Sequence, residues 1–317
     1  MKSVQIGKKS VGAGHPAFII AELGINANGS VELAKKLIDV AVKAGADAVK
    51  FQKRTVDVVF SSEELNKPRE VPREFLESAM KRGVLPEESV KRLTTSDFKD
   101  TRNGDQKYAL EFSHSEYGEI DVYCREHNIL WSASPWDEAS VDFLSQFDVP
   151  FYKVASASLT DDELLKHMRS KGKPVVLSTG GSTMDQIHHA VGVLGRENLV
   201  ILHCTAAYPK AESDRVLSVI NLDCIHTLSR EFPDIPIGFS GNDSGRVPAF
   251  AAVAMGAVML EKHLTLNREM WGSDQASSIE PNDFTELCEW TRVLHIARGD
   301  GIKTVYPEEV EVMKKLR

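Results

Sequence analysis

Eight short apolar runs in this chain each end in side chains able to do chemistry. Glu22 and Asn26 follow the first run; Lys50, Gln52 and Lys53 close the second; Ser132, Ser134 and Asp137 close the third. Lys153, Ser156 and Ser158 follow the fourth, Ser178, Thr179 and Gly180 the fifth, and His203, Thr205 and Tyr208 the sixth. Ser240, Asn242 and Asp243 follow the seventh. Glu261, Lys262 and His263 follow the eighth, with Asp274 further along the same connection. Lysines supply point charges for phosphate or carboxylate. Hydroxyls and glycine-flanked backbone N–H groups complete an anion cradle. Imidazoles hold divalent metals, and carboxylates move protons. Taken together, these residues describe a site for a small, highly anionic substrate, with metal assistance.

Each residue taken alone also has a structural explanation. A lysine at a strand end can snorkel to the surface. His203 has no metal-spaced partner and reads as a hydrogen-bonded core histidine. Ser178-Thr-Gly-Gly-Ser has the composition of a phosphate-binding turn and equally of an ordinary turn. His188 and His189 fall on a solvated helix face. Cys204 reads as a small buried residue, since nothing around it in sequence marks a thiolate. The ensemble carries more weight than any member.

The runs that must position these residues lie at 18–21, 48–51, 129–132, 151–154, 175–177, 200–202, 237–239 and 258–260. Most are separated by enough chain for one helix and its turns. Strands alternating with helices imply parallel pairing and right-handed crossovers. Eight such units predict an α/β fold of the (β/α)₈ TIM-barrel type, in which chemistry sits where strands end. An open doubly wound sheet is the competing architecture, but no G-x-G-x-x-G follows a strand. Ser30 predicts the N-cap of a helix that Gly45 stops, and a second helix starts at Thr183. A third runs from 283, capped by Asp283, to Gly299. Residues 54–110 are too long and polar for one crossover and predict an insertion of short helices over the barrel mouth. Residues 1–14 alternate around a Gly-Lys turn and predict a hairpin plugging the barrel bottom. The charged C-terminal stretch reads as marginally ordered. The whole, 1–317, reads as a single domain.

Composition narrows the function classes. The chain has 317 residues, 42% hydrophobic and 26% charged, with a formal net charge of −8. An acidic balance argues against a general nucleic-acid binder. No apolar run reaches the length of a membrane span, and the N-terminus lacks the apolar stretch of a signal peptide. Four scattered cysteines, Cys124, Cys204, Cys224 and Cys288, make neither a zinc knuckle nor a disulfide framework. A cytoplasmic location is the default expectation.

The motifs FIIAELGINANGS, GADAVKFQK, YKVASAS, VLSTGGS, HCTAAYP, FPDIPIGFSG, LEKHLTL and WGSDQASSIEP run in order from about residue 18 to 281. In these segments the chain resembles the sialic acid synthases, which condense phosphoenolpyruvate with an N-acylated hexosamine. The WGSD form is similar to the branch that includes the animal enzymes. The resemblance implies a TIM barrel and a phosphoenolpyruvate site at Lys50, Ser134, Lys153, Ser156, Ser178 and Ser240. It places Glu22 and Asp274 as carboxylates near the reacting carbons, with Tyr208 and Asp274 in the sugar pocket. It implies an aldose or N-acyl hexosamine acceptor, a Mn²⁺ or Mg²⁺ cofactor and a homodimer. Many bacterial members carry a C-terminal antifreeze-like domain; this sequence stops at Arg317, so a short form lacking it is expected.

Four positions depart from the family pattern. Of its two metal-binding histidines, the second is His263, but the first is replaced by Asn242, so metal binding is expected to be weakened. The usual G-I-N-H reads GINA, with Ala27 in place of histidine. An acidic residue that addresses the sugar is Ser158 here, which opens acceptor specificity. Gln275 replaces a histidine after GSD. The implied reaction joins C3 of phosphoenolpyruvate to an open-chain aldehyde, adds water at C2 and releases phosphate. Two other readings stand beside it: a Schiff-base aldolase using Lys50 or Lys153, and a barrel that binds sugar or phosphate without turnover.

Overall fold

A computed structural model describes residues 3–208 and 213–316. The expected N-terminal hairpin is β1 (Val4–Ile6) and β2 (Lys9–Val11), paired antiparallel across Gly7-Lys8; residues 1–2 of the expected span lie outside the described residues. Eight strands follow: β3 (Phe18–Glu22), β4 (Ala48–Lys53), β5 (Leu130–Pro135), β6 (Tyr152–Val154), β7 (Val175–Ser178), β8 (Leu199–Cys204), β9 (Ile237–Gly241) and β10 (Met259–His263). Their spatial order is β5-β4-β3-β10-β9-β8-β7-β6, with neighbours in that order parallel. The two outer members of that order meet where Ser132 Oγ donates to the Phe151 carbonyl at 2.5 Å. This is the expected TIM barrel, and each strand run read from the sequence is one of its staves.

Side chains alternate across each strand, and the alternation builds two cores. The outward set, including Ile19, Ala21, Val49, Trp131, Val154, Leu177 and Ile201, packs under the helices in the larger cluster. The inward set, Phe18, Ile20, Ala48, Phe151, Val176, Val200, Leu202 and Met259, fills the lower barrel together with Val4, Ile6 and Val11 of the hairpin. The hairpin's apolar face therefore continues the barrel interior. At Gly238 the interior has no room for a side chain: a Cβ would lie 2.5 Å from Leu202 Cδ2 and 2.6 Å from the Met259 carbonyl.

The helices form where capping and periodicity direct. Ser30 Oγ accepts from Leu33 N, opening the helix Val31–Ala44, and Gly45 in the left-handed region ends it. Thr183 and Gln186 form a reciprocal capping box ahead of Met184–Leu194. The helix expected to start with an Asp283 cap begins earlier: it spans Pro281–Arg298 with Glu280 at the N-cap. Pro281 is the reason, since a proline at the first helical position has its φ preset and no N–H to satisfy. The insertion after β4 carries five short helices, from Val56–Val59 to Asn103–Leu110. They share a small core of Val71, Leu76, Ala79, Leu85, Leu93 and Ala109. Phe75 in this insertion packs on Trp271 in the connection after β10, ring centroids 4.9 Å apart. The C-terminal stretch forms a helix, Pro307–Leu316, with no buried residue.

Candidate active site

Above the apolar layers the inward positions turn polar. Register brings them together: Glu22 stands opposite Lys50 on one side and His263 on the other, and Ser240 stands opposite both Cys204 and Glu261. The result is a cavity of about 190 Å³ lined by residues of all eight strand ends. Glu22, Lys50, Ser134, Lys153, Ser156, Ser178, Tyr208, Ser240, Asn242 and His263 all line it. Asp274 stands outside that lining, yet its Oδ2 is 3.8 Å from His263 Nδ1. A larger cleft of about 1060 Å³ lies within the insertion, where Arg92 is paired with Asp105 and Arg102 with Asp100.

Two buried lysines form the cavity floor. Lys50 Nζ is ion-paired with Glu22 and donates to Ser134 Oγ at 3.0 Å. Lys153 Nζ donates to Ser178 Oγ at 2.7 Å and to the Val154 carbonyl at 3.0 Å. Between them sits Glu261, 3.9 Å from Lys50 and 3.7 Å from Lys153, accepting from Ser240 Oγ at 3.2 Å. Burial opposes the charge on Lys50, but Glu22 and Glu261 outweigh it and hold the ammonium above the ordinary lysine value. Lys153 goes the other way: burial lowers it and Lys50 repels it, against the pull of Glu261. Glu22 is raised, by burial first, despite Lys50 and His263. Glu261 is buried too, but Lys153 and Lys50 together keep it below the usual carboxylate value. The floor thus sets two buried ammonium groups against two buried carboxylates, with Lys50 and Glu22 pushed up and Lys153 and Glu261 pushed down. One oxygen of Glu261 is buried without a hydrogen-bond partner, whereas the corresponding oxygen of Glu22 is the one ion-paired with Lys50.

The rim adds backbone and ring contacts. Ser156 Oγ accepts from Gly180 N at 3.1 Å, tying the turns after β6 and β7. Gly24 leaves room beside Glu22: a Cβ there would fall 2.3 Å from Glu22 Oε1 and 2.8 Å from Gln52 Nε2, so both side chains would have to shift. Tyr208 is half exposed and meets the His263 ring edge-on at 5.9 Å. Asn242 donates from Nδ2 to the Thr205 carbonyl at 2.9 Å, which leaves its side-chain oxygen as the atom available to a ligand. One imidazole, one amide oxygen and the Asp274 carboxylate beside the imidazole suit a hard divalent cation with open positions. Among the described residues no three His, Cys, Asp or Glu side chains gather into a ready-made metal cage.

The remaining departures fall on packing positions. Ala27 is fully buried in the outer core. Ser158 is buried in a short 3₁₀ turn. Gln275 accepts from Thr265 Oγ1 and donates to the Asn26 carbonyl at 3.2 Å, so it braces the connection after β10. His203 is a core histidine whose Nε2 meets the Ile220 carbonyl at 2.7 Å. Cys204 is buried but lines the cavity, and burial raises its thiol above the ordinary value. The strand-end reading included Gln52 and Glu261, the residues implied by the resemblance did not, and neither included Trp136 or Cys204. Gln52 and Glu261 carried a signal, since each lies two residues from a chosen one on the same strand and so shares its face.

Comparison with known proteins identifies relatives over nearly the whole chain. The chain is 36% identical over 309 residues to the N-acetylneuraminate-9-phosphate synthase of Homo sapiens, covering 96% of this chain and 78% of that one. It is 32% identical over 296 residues to the N,N'-diacetyllegionaminic acid synthase of Campylobacter jejuni, covering 92% and 80%. A crystal structure of N-acetylneuraminic acid synthetase from Leptospira borgpetersenii in complex with citrate superimposes with a TM-score of 0.78 at 26% identity, over 99% of this chain and 96% of that one. No described helix is long and apolar enough to cross a membrane. Residues 37–97 and 86–303 match the NeuB family, and with that match and these relatives the chain belongs to the family.

Proposed function

We propose that this enzyme condenses phosphoenolpyruvate with the open-chain aldehyde of a hexosamine or related sugar, giving a nonulosonic acid and phosphate. The observation that carries the reading is the cavity floor: two buried lysines, each on a serine hydroxyl, share one carboxylate in a space suited to a small polyanion. Lys50, Ser134, Lys153 and Ser178 bind the phosphate and carboxylate of phosphoenolpyruvate, with Ser156 and Ser240 completing the cradle. C3 bonds to the aldehyde carbon, water adds at C2, and phosphate leaves as its bond to C2 breaks. Glu22, raised by burial, passes a proton to the oxygen that develops negative charge, while Asp274 and Tyr208 orient the sugar. A hard divalent cation, Mn²⁺ or Mg²⁺, held by His263 and the Asn242 oxygen, would supply Lewis-acid polarisation of the acceptor carbonyl. Homodimeric assembly comes with the resemblance and is checked by light scattering.

The test is phosphate release from phosphoenolpyruvate, with Mn²⁺ or Mg²⁺, across aldoses and N-acyl hexosamines. The expected result is release that requires one sugar and matches the keto acid formed. No release with any acceptor, from folded protein, would overturn the reading. One observation favours a second reading: a buried amine with lowered basicity, as at Lys153, is what a Schiff-base lysine needs. That aldolase would be trapped by borohydride with a carbonyl substrate and would release no phosphate.

A further inference from the structure

An amide and a carboxylate stand side by side at the end of β9, and the fold gives the cavity the amide. Asn242 lines the cavity together with His263, whereas Asp243, the next residue, stands outside that lining. A carboxylate is the stronger partner for a hard cation, so its diversion needs a cause. Lys262 supplies it. This lysine lies between Glu261 and His263 on β10, is fully buried and takes no part in the cavity lining. Its Nζ is 2.9 Å from Asp243 Oδ1 and also donates to the Asp243 carbonyl. One ammonium thus grips both the side chain and the main chain of a single residue.

The rest of the loop is held as closely. Lys262 is paired in register with Gly241, the residue before Asn242. A Cβ on Gly241 would lie 3.0 Å from Asp243 Oδ1 and 2.7 Å from Phe239 Cε1, so the glycine lets the gripped carboxylate pack in. Asp243 Oδ2 accepts from Gly245 N at 3.1 Å, which fixes the turn beyond it. The Asn242 backbone is therefore set on both sides, at 241 by the sheet and at 243 by the ion pair. Its side chain has a further anchor, Nδ2 to the Thr205 carbonyl at 2.9 Å, with Cys204 Sγ at 3.5 Å. With the nitrogen so engaged, the oxygen is the end left for a ligand.

A buried ion pair adds little net stability, because both charges lose their hydration; fixing one conformation is its better use. We propose that the Lys262–Asp243 pair is a positioning device: it holds the loop after β9 so that the Asn242 oxygen, and not the Asp243 carboxylate, is presented to the cavity that His263 lines. This rests on the reading that a divalent cation binds there. Neither Lys262 nor Asp243 touches the cation or the substrates; both act through Asn242. Asn242 and His263 then offer uncharged donors, an amide oxygen and an imidazole.

The experiment is a double-mutant cycle read by calorimetry of Mn²⁺ binding to the metal-free full chain. Lys262→Met alone strands a buried carboxylate, so the deciding variant combines Lys262→Met with Asp243→Asn and removes both charges. It should weaken Mn²⁺ binding by about tenfold or more, as Asn242→Ala should, the usual effect of losing a group that orients a metal ligand. Adding Asn242→Ala to the charge-free variant should cost nothing further, because both changes remove the same contact. A merely structural role would lower the urea midpoint and leave the dissociation constant of the folded protein unmoved. If the charge-free variant does not fold, Asp243→Asn alone gives the comparison, with weaker Mn²⁺ binding expected. Unchanged affinity in the variant that folds, or a loss that adds to that of Asn242→Ala, overturns the inference and leaves the cation reading intact. A parent chain that binds no Mn²⁺ overturns the cation reading and this inference with it.

Discussion

Replacing Glu261 by glutamine tests how the cavity floor handles charge. Glu261 is the carboxylate that serves Lys153, at 3.7 Å, whereas Lys50 also has Glu22. Unit charges about 4 Å apart attract by about 4 kcal/mol at an effective dielectric constant near 20. The amide removes that attraction but still accepts the bond from Ser240 Oγ. Lys153 is already below the ordinary lysine value of 10.5 through burial. Taking away Glu261 lowers it further, so the ammonium deprotonates at a lower pH and the alkaline limb of phosphoenolpyruvate use moves toward neutrality. If only about a third of the attraction survives relaxation, the loss is about 1.4 kcal/mol, or tenfold. The assay is kcat/KM for phosphoenolpyruvate against pH at saturating acceptor, which reports groups on the free enzyme. Glu261→Gln and the parent should run close together at the acid end and diverge by at least about tenfold at the alkaline end. A merely structural defect lowers the whole curve by one factor. Parallel profiles would refute the argument that Glu261 keeps Lys153 charged.

Other changes probe separate parts of the molecule. Lys153→Ala should lower kcat/KM for phosphoenolpyruvate by roughly 100-fold or more, the worth of one or two charge-assisted hydrogen bonds; a normal value would remove Lys153 from the anion site. Asn242→His should bind Mn²⁺ more tightly than the parent in calorimetry, because imidazole is the better donor, and an unchanged affinity would take Asn242 out of any metal site. Gly238→Ala forces a methyl group to within 2.6 Å of the Met259 carbonyl and should cost about 1–3 kcal/mol, read as a lower urea midpoint. An unchanged midpoint would mean the barrel interior is less crowded there.

All eight staves were legible as apolar runs, but seven of the eight runs stop short of the strand ends. The second run stops at Phe51, yet β4 continues to Lys53; the sixth stops at Leu202, yet β8 reaches Cys204; the eighth stops at Leu260, yet β10 reaches His263. The reason is the layering of the barrel. Its lower interior is apolar and looks like strand, while its upper interior is the polar site and looks like loop. A hydrophobicity rule therefore ends each strand where the chemistry begins. The misplaced helix start has a simpler cause. Asp283 matched the expected cap chemistry, but Pro281 two residues earlier was the stronger signal.

Strand parity decides which rim residues enter the site, and it can be applied to sequence once one inward residue is known. With Lys50 inward, Gln52 is inward and Phe51 is not. In Glu261-Lys262-His263 the outer two line the cavity. Lys262 points the other way, where it is fully buried and paired with Asp243 at 2.9 Å. A sequence reading that treats all three as candidates misassigns the middle one, and one that follows the resemblance alone omits Glu261. Parity does not reach Asn242 or Lys107. The first depends on which end of an amide turns toward the Thr205 carbonyl on a neighbouring strand's loop. The second depends on the insertion helix Asn103–Leu110 folding back to set Lys107 4.9 Å from the Phe60 ring centroid. Both are long-range placements, and neither bears on whether the chain forms a barrel. Fold is written in local periodicity, and the detail around the site in contacts between segments that periodicity does not connect.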